Sequence, residues 1–426
     1  MSTRDLRELV ELTRTHQAAY TDPAIFEEEM SKIFAATWVY LAHESQLPAP
    51  DSFLTCSMGS RPIVLSRSAD GAIHAVLNRC RHRGVAVVTA SEGVAPRFRC
   101  AYHGWTYRNS GELIGVTHPK AYTVDFDRTL YGLSKVRVES VEGFIFGTLQ
   151  PDLIPLVEHL GSAVDALREW RMRAPGHEPI VRNGARKIEV RANWKVVWEN
   201  AADGYHPAFT HRSLLEMTSR HGEGLSLSYF AGDPDDLPIA SNYLGHGNVF
   251  LDQRPALTGS LWEHARPVPG AERAVAALTE RYGAETAAKW LELAPSGSMN
   301  ISIFPTLFIN GNFVTTLEAR APGVVVMNER AVTLDGVPAE VNWLRLRYCE
   351  DFVNFGEPDD IEMWERAQRG FAARESPWNE ISRGLAEDED DSDTQRTVTA
   401  TNEEAIRGFW REWLRLMMSE PKLSPA

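Results

Sequence analysis

Hydrophobic and polar positions along the chain fall into three stretches of different period. Over 22–38, Ile25, Phe26, Met30, Ile33 and Phe34 supply an apolar face behind Asp22, which can cap, and Pro23, which suits a first helical position. This predicts a packing helix. From Trp38 to about Gln150 the runs become short and strand-like, such as Arg61-Pro-Ile-Val-Leu-Ser and Phe144-Ile-Phe-Gly-Thr-Leu, punctuated by Gly, Pro and Asn109-Ser-Gly. They predict an antiparallel β domain. Beyond Pro151 a helical pattern returns over 153–171, followed by strand-like Lys187-Ile-Glu-Val-Arg-Ala and a helical stretch from Trp194. Segment 271–294 reads as helix, while Asn300-Ile-Ser-Ile-Phe and Trp343-Leu-Arg-Leu-Arg-Tyr read as strands. The closing segment 402–420 reads as an amphipathic helix with Ile406, Phe409, Trp410, Trp413, Leu414 and Met417 on one side. The expected class is α+β: an N-terminal helical segment over 1–38 packing on the larger domain, a small all-β domain over 39–152, and a mixed domain over 153–426.

Composition narrows the function classes. The chain has 426 residues, 43% of them hydrophobic, enough for packed cores in about two domains. Its net charge of -14, from 44 basic and 58 acidic residues, argues against nucleic acid, whose phosphates are held by Lys and Arg. The cysteines are Cys56, Cys80, Cys100 and Cys349, too few for a disulfide framework once Cys80 and Cys100 are assigned below. The first residues are charged, and no run of 18 apolar residues occurs. A cytoplasmic, non-membrane protein is expected. The run Glu387–Asp393 predicts a solvated loop. Neither a Gly-x-Gly-x-x-Gly fingerprint after a strand nor a P-loop is present, so the chain shows no nicotinamide site of its own.

The candidate chemistry begins at Cys80-Arg-His82, followed after 17 residues by Cys100-Ala-Tyr-His103. Two thiolates and two imidazoles in this order are the ligand set of a Rieske [2Fe-2S] centre, in which two His replace two Cys on one iron. A Cys2His2 zinc site uses the same donors, but zinc sites commonly separate paired ligands by two or more residues. One residue separates Cys80 from His82, and the order alternates Cys-His, Cys-His. Asn78-Arg-Cys-Arg-His-Arg-Gly84 and Cys100-Ala-Tyr-His-Gly-Trp105 resemble the two cluster-binding loops of the Rieske ring-hydroxylating oxygenases.

A second set lies in 193–211, which gathers Glu199, Asn200, Asp203, His206 and His211. With a later carboxylate, two His form the facial triad that leaves iron(II) positions open for dioxygen. Residues five apart differ by about 140° on an ideal helix, so His206 and His211 would not share a face. Pro207 disfavours helical geometry at His206 and is expected to re-aim its ring. Asp203, three residues before His206, is expected on the same helical face, where it can take the imidazole N–H.

This segment is similar to the mononuclear-iron motif of the same oxygenase family. The resemblance implies His206 and His211 as ligands, with a distant aspartate in Pro358-Asp-Asp-Ile-Glu-Met-Trp-Glu. Alignment selects Asp360, with Asp359 as the fallback and a helix N-cap as the alternative role for either. Asn200 lies three residues before Asp203, one fewer than in the naphthalene-type enzymes, and its place at the metal stays open. The tail Thr401-Asn-Glu-Glu and Phe409-Trp-Arg, and the overall length, look closest to benzoate/anthranilate-like large (alpha) subunits.

That resemblance implies a fold, a set of cofactors and a function. The fold would be a Rieske domain joined to a helix-grip (START-like) catalytic domain. Cys80, His82, Cys100 and His103 would hold the cluster, and His206, His211 and Asp360 a mononuclear Fe(II). The chain would be the terminal oxygenase of a multicomponent dioxygenase, hydroxylating an aromatic substrate, with an aromatic acid among the candidates. Electrons would come from an NAD(P)H-dependent flavin reductase, with or without a ferredoxin. A small beta subunit and a head-to-tail homotrimer (alpha3beta3 or alpha3) are expected, with Asp203 joining His206 to His103 of a neighbouring chain. The rival readings are a monooxygenase or O/N-demethylase of the same family, a Rieske electron carrier, and a zinc-stabilised module. Arg182, Arg212 and Arg220 are candidates for receiving a carboxylate, and Phe209, Phe304, Phe308 and Trp343 for lining a pocket or filling the core.

Overall fold

The computed structural model describes residues 5–182, 184–219, 240–252, 259–263, 265, 268–295, 299–385 and 395–423. The acidic run Glu387–Asp393 and Arg220 lie outside the described residues. The chain forms two compact units, Glu28–His159 and Leu160–Met418, with the N-terminal residues up to Glu27 belonging to the second.

The first helices are α1 (Ala18–Thr21) and α2 (Pro23–Lys32). Asp22 accepts from the Ala24 amide at 2.8 Å, the capping role its side chain suits. The helix stops at Lys32, short of 38; Ile33 and Phe34 are buried in the turn that follows, and Val39–His43 is already a strand.

In the smaller unit, seven strands form an antiparallel sheet in the order Val39–His43, Phe144–Thr148, Lys135–Val141, Ile73–Leu77, Arg61–Arg67, Ser52–Met58, Glu92–Val94. A second sheet pairs Arg97–Arg99 with Thr106–Arg108, and that strand with Leu113–Gly115. The run Ile63-Val-Leu is buried on both sides, which explains why it is continuously apolar. Successive side chains point to opposite faces, so Ile63 and Leu65 enter one core while Val64 enters another that contains Cys80 and Cys100. The loop 100–105 is the tip of the hairpin in which Arg99 pairs with Thr106. Loop 80–84 follows strand Ile73–Leu77.

Among the described residues of the larger unit, eight strands form one antiparallel sheet: Ala185–Val190, Val324–Ala331, Phe313–Ala321, Leu307–Asn310, Met299–Ile303, Val249–Asp252, Ala240–Tyr243, Arg396–Thr399. The expected helix over 153–171 is two, broken at Gly161: α3 (Leu156–Leu160), at the end of the smaller unit, and α4 (Ala163–Met172), at the start of this stretch of the larger one. Three helices follow strand Ala185–Val190: α5 (Trp194–Ala202), α6 (Pro207–Thr210) and α7 (Arg212–Ser219). Segment 271–294 is likewise divided, into α8 (Ala271–Tyr282) and α9 (Ala284–Leu291). The chain continues through α10 (Ala339–Phe355), α11 (Glu357–Gly370) and α12 (Glu404–Met417).

The strand expected at Trp343–Tyr348 is instead part of α10. Its buried positions, Val341, Leu344, Arg345, Tyr348 and Cys349, follow helical spacing. Arg345 hid that period by being a core residue: its guanidinium donates to the Val332 and Leu293 carbonyls at 2.9 and 2.7 Å. In α12 Ile406, Phe409, Trp410, Trp413 and Met417 are buried, as expected, but so are Glu404, Arg407 and Glu412, whereas Leu414 is only half-buried. Arg407 donates to Glu404 and to the Ile381 carbonyl, which makes such burial tolerable.

Candidate metal centres

Two loops of one shape present Cys80, His82, Cys100 and His103. In the first, the Cys80 amide donates to the Val85 carbonyl and the Gly84 amide to the Cys80 carbonyl, at 2.8 and 2.9 Å. The second repeats this with Cys100 to Trp105 and Gly104 to Cys100, at 2.8 and 3.0 Å. Gly84 and Gly104 occupy equivalent places and both have φ of 74°, a conformation glycine adopts without Cβ strain. The loops therefore match although His82 is the second residue after its cysteine and His103 the third. The two imidazole rings meet with centroids 4.6 Å apart, and His82 also stacks on Trp105.

Both thiols are buried, and His82 Nδ1 is buried with no hydrogen-bond partner. Desolvation, helped by the charges of His103 and Arg83, lowers the His82 pKa and favours the neutral, ligating imidazole. A buried imidazole nitrogen left unpaired beside two buried thiols fits the Rieske donor set. One further residue, not expected from the sequence, joins this site. The Tyr107 hydroxyl accepts from the Arg81 amide at 3.1 Å and lies 3.3 Å from Cys80 Sγ, leaving its proton to donate to sulfur. Burial first, then Cys80, raises its pKa, keeping the phenol protonated.

In the larger unit His206, His211 and Asp360 each offer one ligand atom, all within 4.8 Å of one another. Asp360 Oδ1 lies 3.5 Å from His206 Nε2 and 3.4 Å from His211 Nε2. Asp360 and His211 are buried and His206 half-buried. Two imidazoles and one carboxylate converging on a common point fit a 2-His-1-carboxylate iron(II) site.

Each neighbour has a distinct place. Asn200 Nδ2 donates to Asp360 Oδ1 at 3.3 Å and lies 3.5 Å from His206 Nε2. Asp203 Oδ2 is 3.1 Å from His206 Nδ1, on the ring edge away from Asp360. Asp359 accepts from the Ser213 hydroxyl at 3.2 Å and stands 3.7 Å from His211 Nδ1, beyond hydrogen-bonding distance. Both aspartates lie in the first turn of α11, where the helix dipole favours negative charge. Burial raises the Asp360 pKa, and burial together with the His206 charge lowers that of His211. Burial also opposes charging of His206, yet the Asp203 hydrogen bond and the charges of Asp203 and Asp360 outweigh it, and its pKa is raised.

The backbone brings these residues together differently from expectation. His206 keeps helical geometry (φ -63°, ψ -31°), and Pro207 simply occupies the first position of α6. The turn that aligns the imidazoles comes at His211 (φ -92°, ψ 22°), between α6 and α7. Asp203 does not share a helical face with His206. It terminates α5 in an extended conformation (φ -98°, ψ 119°), and its carboxylate accepts from the amides of Tyr205 and His206 at 2.5 and 3.2 Å. It thus caps the turn that carries His206. Among the other candidates, Arg212 pairs with Glu216 on the surface, and Arg182 is exposed. Phe304 and Phe308 are core residues, whereas Phe209 and Trp343 are exposed.

Residues 178–420 match the family model of the ring hydroxylating alpha subunit catalytic domain, and residues 37–136 that of the Rieske [2Fe-2S] domain. The chain belongs to the Rieske ring-hydroxylating dioxygenase large subunits. It is 31% identical over 385 residues to the anthranilate 1,2-dioxygenase large subunit of Acinetobacter baylyi, covering 86% of this chain and 79% of that protein. It is 33% identical to the toluate 1,2-dioxygenase subunit alpha of Pseudomonas putida over 383 residues, 87% of this chain and 81% of that one. A solved structure of naphthalene 1,2-dioxygenase bound to phenanthrene superposes with a TM-score of 0.80 at 26% identity, covering 98% of this chain and 96% of the other. As a member of these large subunits the protein is an oxidoreductase: the terminal oxygenase of a multicomponent ring-hydroxylating dioxygenase system acting on an aromatic substrate. It carries a Rieske cluster-binding region and a mononuclear iron-binding triad. Among the described residues no helix is long and apolar enough to cross a membrane.

Proposed function

We propose that this dioxygenase acts on an aromatic carboxylate, with both metal centres held by the residues described above. The triad geometry supports the metal assignment, and the carboxylate rests on the likeness to large subunits of anthranilate, 2-halobenzoate and toluate dioxygenases. His206, His211 and Asp360 are the iron(II) ligands; Cys80 and Cys100 bind one iron of the cluster, and His82 and His103 the other. When bound, the cluster supplies single electrons, and the iron supplies dioxygen activation. Asp203 fixes the tautomer of His206 by taking its Nδ1 proton in a hydrogen bond, which leaves Nε2 free to ligate. Asn200 restrains the Asp360 carboxylate from the side of the same oxygen that faces both imidazoles. Tyr107 steadies Cys80 as a thiolate.

Residues 39–152 serve as the electron-relay domain and 153–426 as the catalytic domain. The electrons come from an NAD(P)H-dependent flavin reductase, directly or through a ferredoxin. The working assembly is a head-to-tail trimer, with a small beta subunit, in the cytoplasm, where the free cysteines stay reduced. In it Asp203 of one chain accepts from its own His206 and from His103 of a neighbour.

The test is product analysis with a surrogate reductase and labelled dioxygen, across a panel of aromatic acids, amines and hydrocarbons. Conversion of an aromatic acid to a cis-dihydrodiol carrying both labelled atoms is the expected result. Turnover of hydrocarbons alone would sink the carboxylate assignment. A solved quaternary ammonium Rieske monooxygenase shares this fold with a TM-score of 0.69 at 17% identity, so fold alone does not choose between outcomes. A single labelled atom in the product would mark a monooxygenase or demethylase instead.

A further inference from the structure

A second group of acidic side chains lies one helical turn before Asp360. Glu357 opens α11 and is buried, as is Glu329 on strand Val324–Ala331. Both carboxyls meet the same guanidinium, Arg186 on strand Ala185–Val190, which lies 2.9 Å from Glu329 and also pairs with Glu357. Arg186 and Glu329 are directly opposed in the sheet, so strand register fixes half of this cluster. Two buried carboxylates cannot share one cation without an excess negative charge, and the stable arrangement keeps one of them protonated. Burial, followed by the hydrogen bond and charge of Glu329, pushes Glu357 up to about 9 despite Arg186. On the facing helix α10, Glu350 is acidic and Cys349 is pushed up to about 12, by burial first and then by Glu329, Glu350 and Glu357.

The cluster has mechanical consequences for the iron site. Residues 357 and 360 are three apart in one helix and therefore stack on the same side. Farther along α11, Glu365 accepts from the Arg191 amide at 3.2 Å and Gln368 from the Asn193 amide at 2.9 Å. The helix is thus fixed along its length to 186–193, the segment that runs directly into α5 and so to Asn200. With Asp360 read as an iron ligand, as proposed above, this attachment sets the ligand against the element that carries its partners. We propose that Glu357, held against Arg186 beside Glu329, is a positioning residue for the iron ligand Asp360.

The test measures mononuclear iron per chain, with the Rieske absorbance as an internal control, for Glu357→Ala, Glu357→Gln and Asp360→Ala holoproteins. Glu357→Ala is expected to weaken iron retention about tenfold, the scale of outer-sphere changes at metal sites, while the Rieske spectrum persists. Glu357→Gln, a neutral isostere of the protonated acid, should retain iron at neutral pH. The pH profile separates positioning from simple packing. A group whose pKa is raised on folding contributes below its unfolded value and loses that contribution as pH rises through the folded one. Wild type should therefore lose melting temperature relative to Glu357→Gln as pH climbs from about 4.5 to about 9, and lose iron retention relative to it as pH rises through about 9, where the folded carboxyl ionises. Equal iron in Glu357→Ala and wild type, or superimposable pH profiles for wild type and Glu357→Gln, would overturn the proposal. Should Glu357→Ala fail to fold, the comparison of wild type with Glu357→Gln still decides. Asp360→Ala serves a separate purpose: if it keeps its iron, the ligand assignment fails, whereas iron lost there but kept in Glu357→Ala removes only the positioning role.

Discussion

At the scale of single residues, the adjacent carboxylates Asp359 and Asp360 point to different atoms. Asp360 Oδ1 faces both Nε2 atoms, whereas Asp359 approaches the far nitrogen of His211 at 3.7 Å and takes the Ser213 hydroxyl. Asp360→Ala should release about one iron per chain, as expected of a site with three protein ligands, and abolish turnover. Asp359→Ala should keep the iron. Metal analysis of the two purified variants checks this, and the reverse pattern would reassign the ligand. Tyr107 allows a second test. Its hydroxyl stabilises negative charge on Cys80 Sγ, and that charge is greater in the reduced cluster. Tyr107→Phe should lower the reduction potential by about 40 mV, from a hydrogen bond of about 1 kcal/mol at about 59 mV per tenfold. An unchanged midpoint in voltammetry would show that the proton points elsewhere. Cys80, His82, Cys100, His103, His206 and His211 stand out in the sequence because they are local and their order is unusual, whereas the distant Asp360 is reached only through the family resemblance. Tyr107 does not stand out, since a tyrosine in a strand has a sufficient role in packing and only tertiary structure brings it to the sulfur.

At the scale of elements, periodicity is reliable where one face is buried and polar residues stay outside. Strand Arg61–Arg67 and helix α12 are found near their expected places through their strong apolar signal, although Ile63-Val-Leu is buried on both faces and α12 also buries Glu404, Arg407 and Glu412. The pattern misleads where a charged side chain is buried: Arg345 inside α10 makes Trp343–Tyr348 alternate like a strand, although its carbonyl partners settle it in a helix core. Residue spacing also could not reveal how His206 and His211 meet, because the chain leaves the helix at Asp203 and turns again at His211. Gly204 is the tight point of that first turn. A Cβ there would stand 2.5 Å from the Ala400 carbonyl oxygen and 2.8 Å from the Ala400 Cβ, so backbone would have to move. Gly204→Ala should displace the Asp203–His206 turn at a cost of about 1–3 kcal/mol, the usual range for overpacking. Loss of mononuclear iron with an unaltered Rieske spectrum is the expected reading. Full iron occupancy would show that the turn has slack.

At the scale of the whole molecule, a β-rich unit that holds a one-electron centre and an α+β unit that holds an oxygen-activating site must exchange electrons within the working assembly. The proposed route crosses between subunits through Asp203, and the side chain is suited to it. Its carboxylate accepts from the Tyr205 amide and from the amide and Nδ1 of His206, yet remains 26% exposed, so it has both lone-pair capacity and access for a further donor. The competing reading confines Asp203 to capping its own turn and orienting His206. Asp203→Asn distinguishes them, because the amide keeps one accepting oxygen for the turn but loses the charge and the second acceptor. If the residue bridges subunits, cluster, iron content and trimer should persist while single-turnover electron transfer from reduced cluster to mononuclear iron falls by orders of magnitude. Rapid-mixing spectroscopy on the reduced protein follows that step directly, and light scattering on the same sample reports the assembly. A heterologous interface whose rotation closes gives a ring, so an active monomer would contradict this route as firmly as a fully active Asp203→Asn. Either result would return Asp203 to a role within its own subunit and require another path for the electrons.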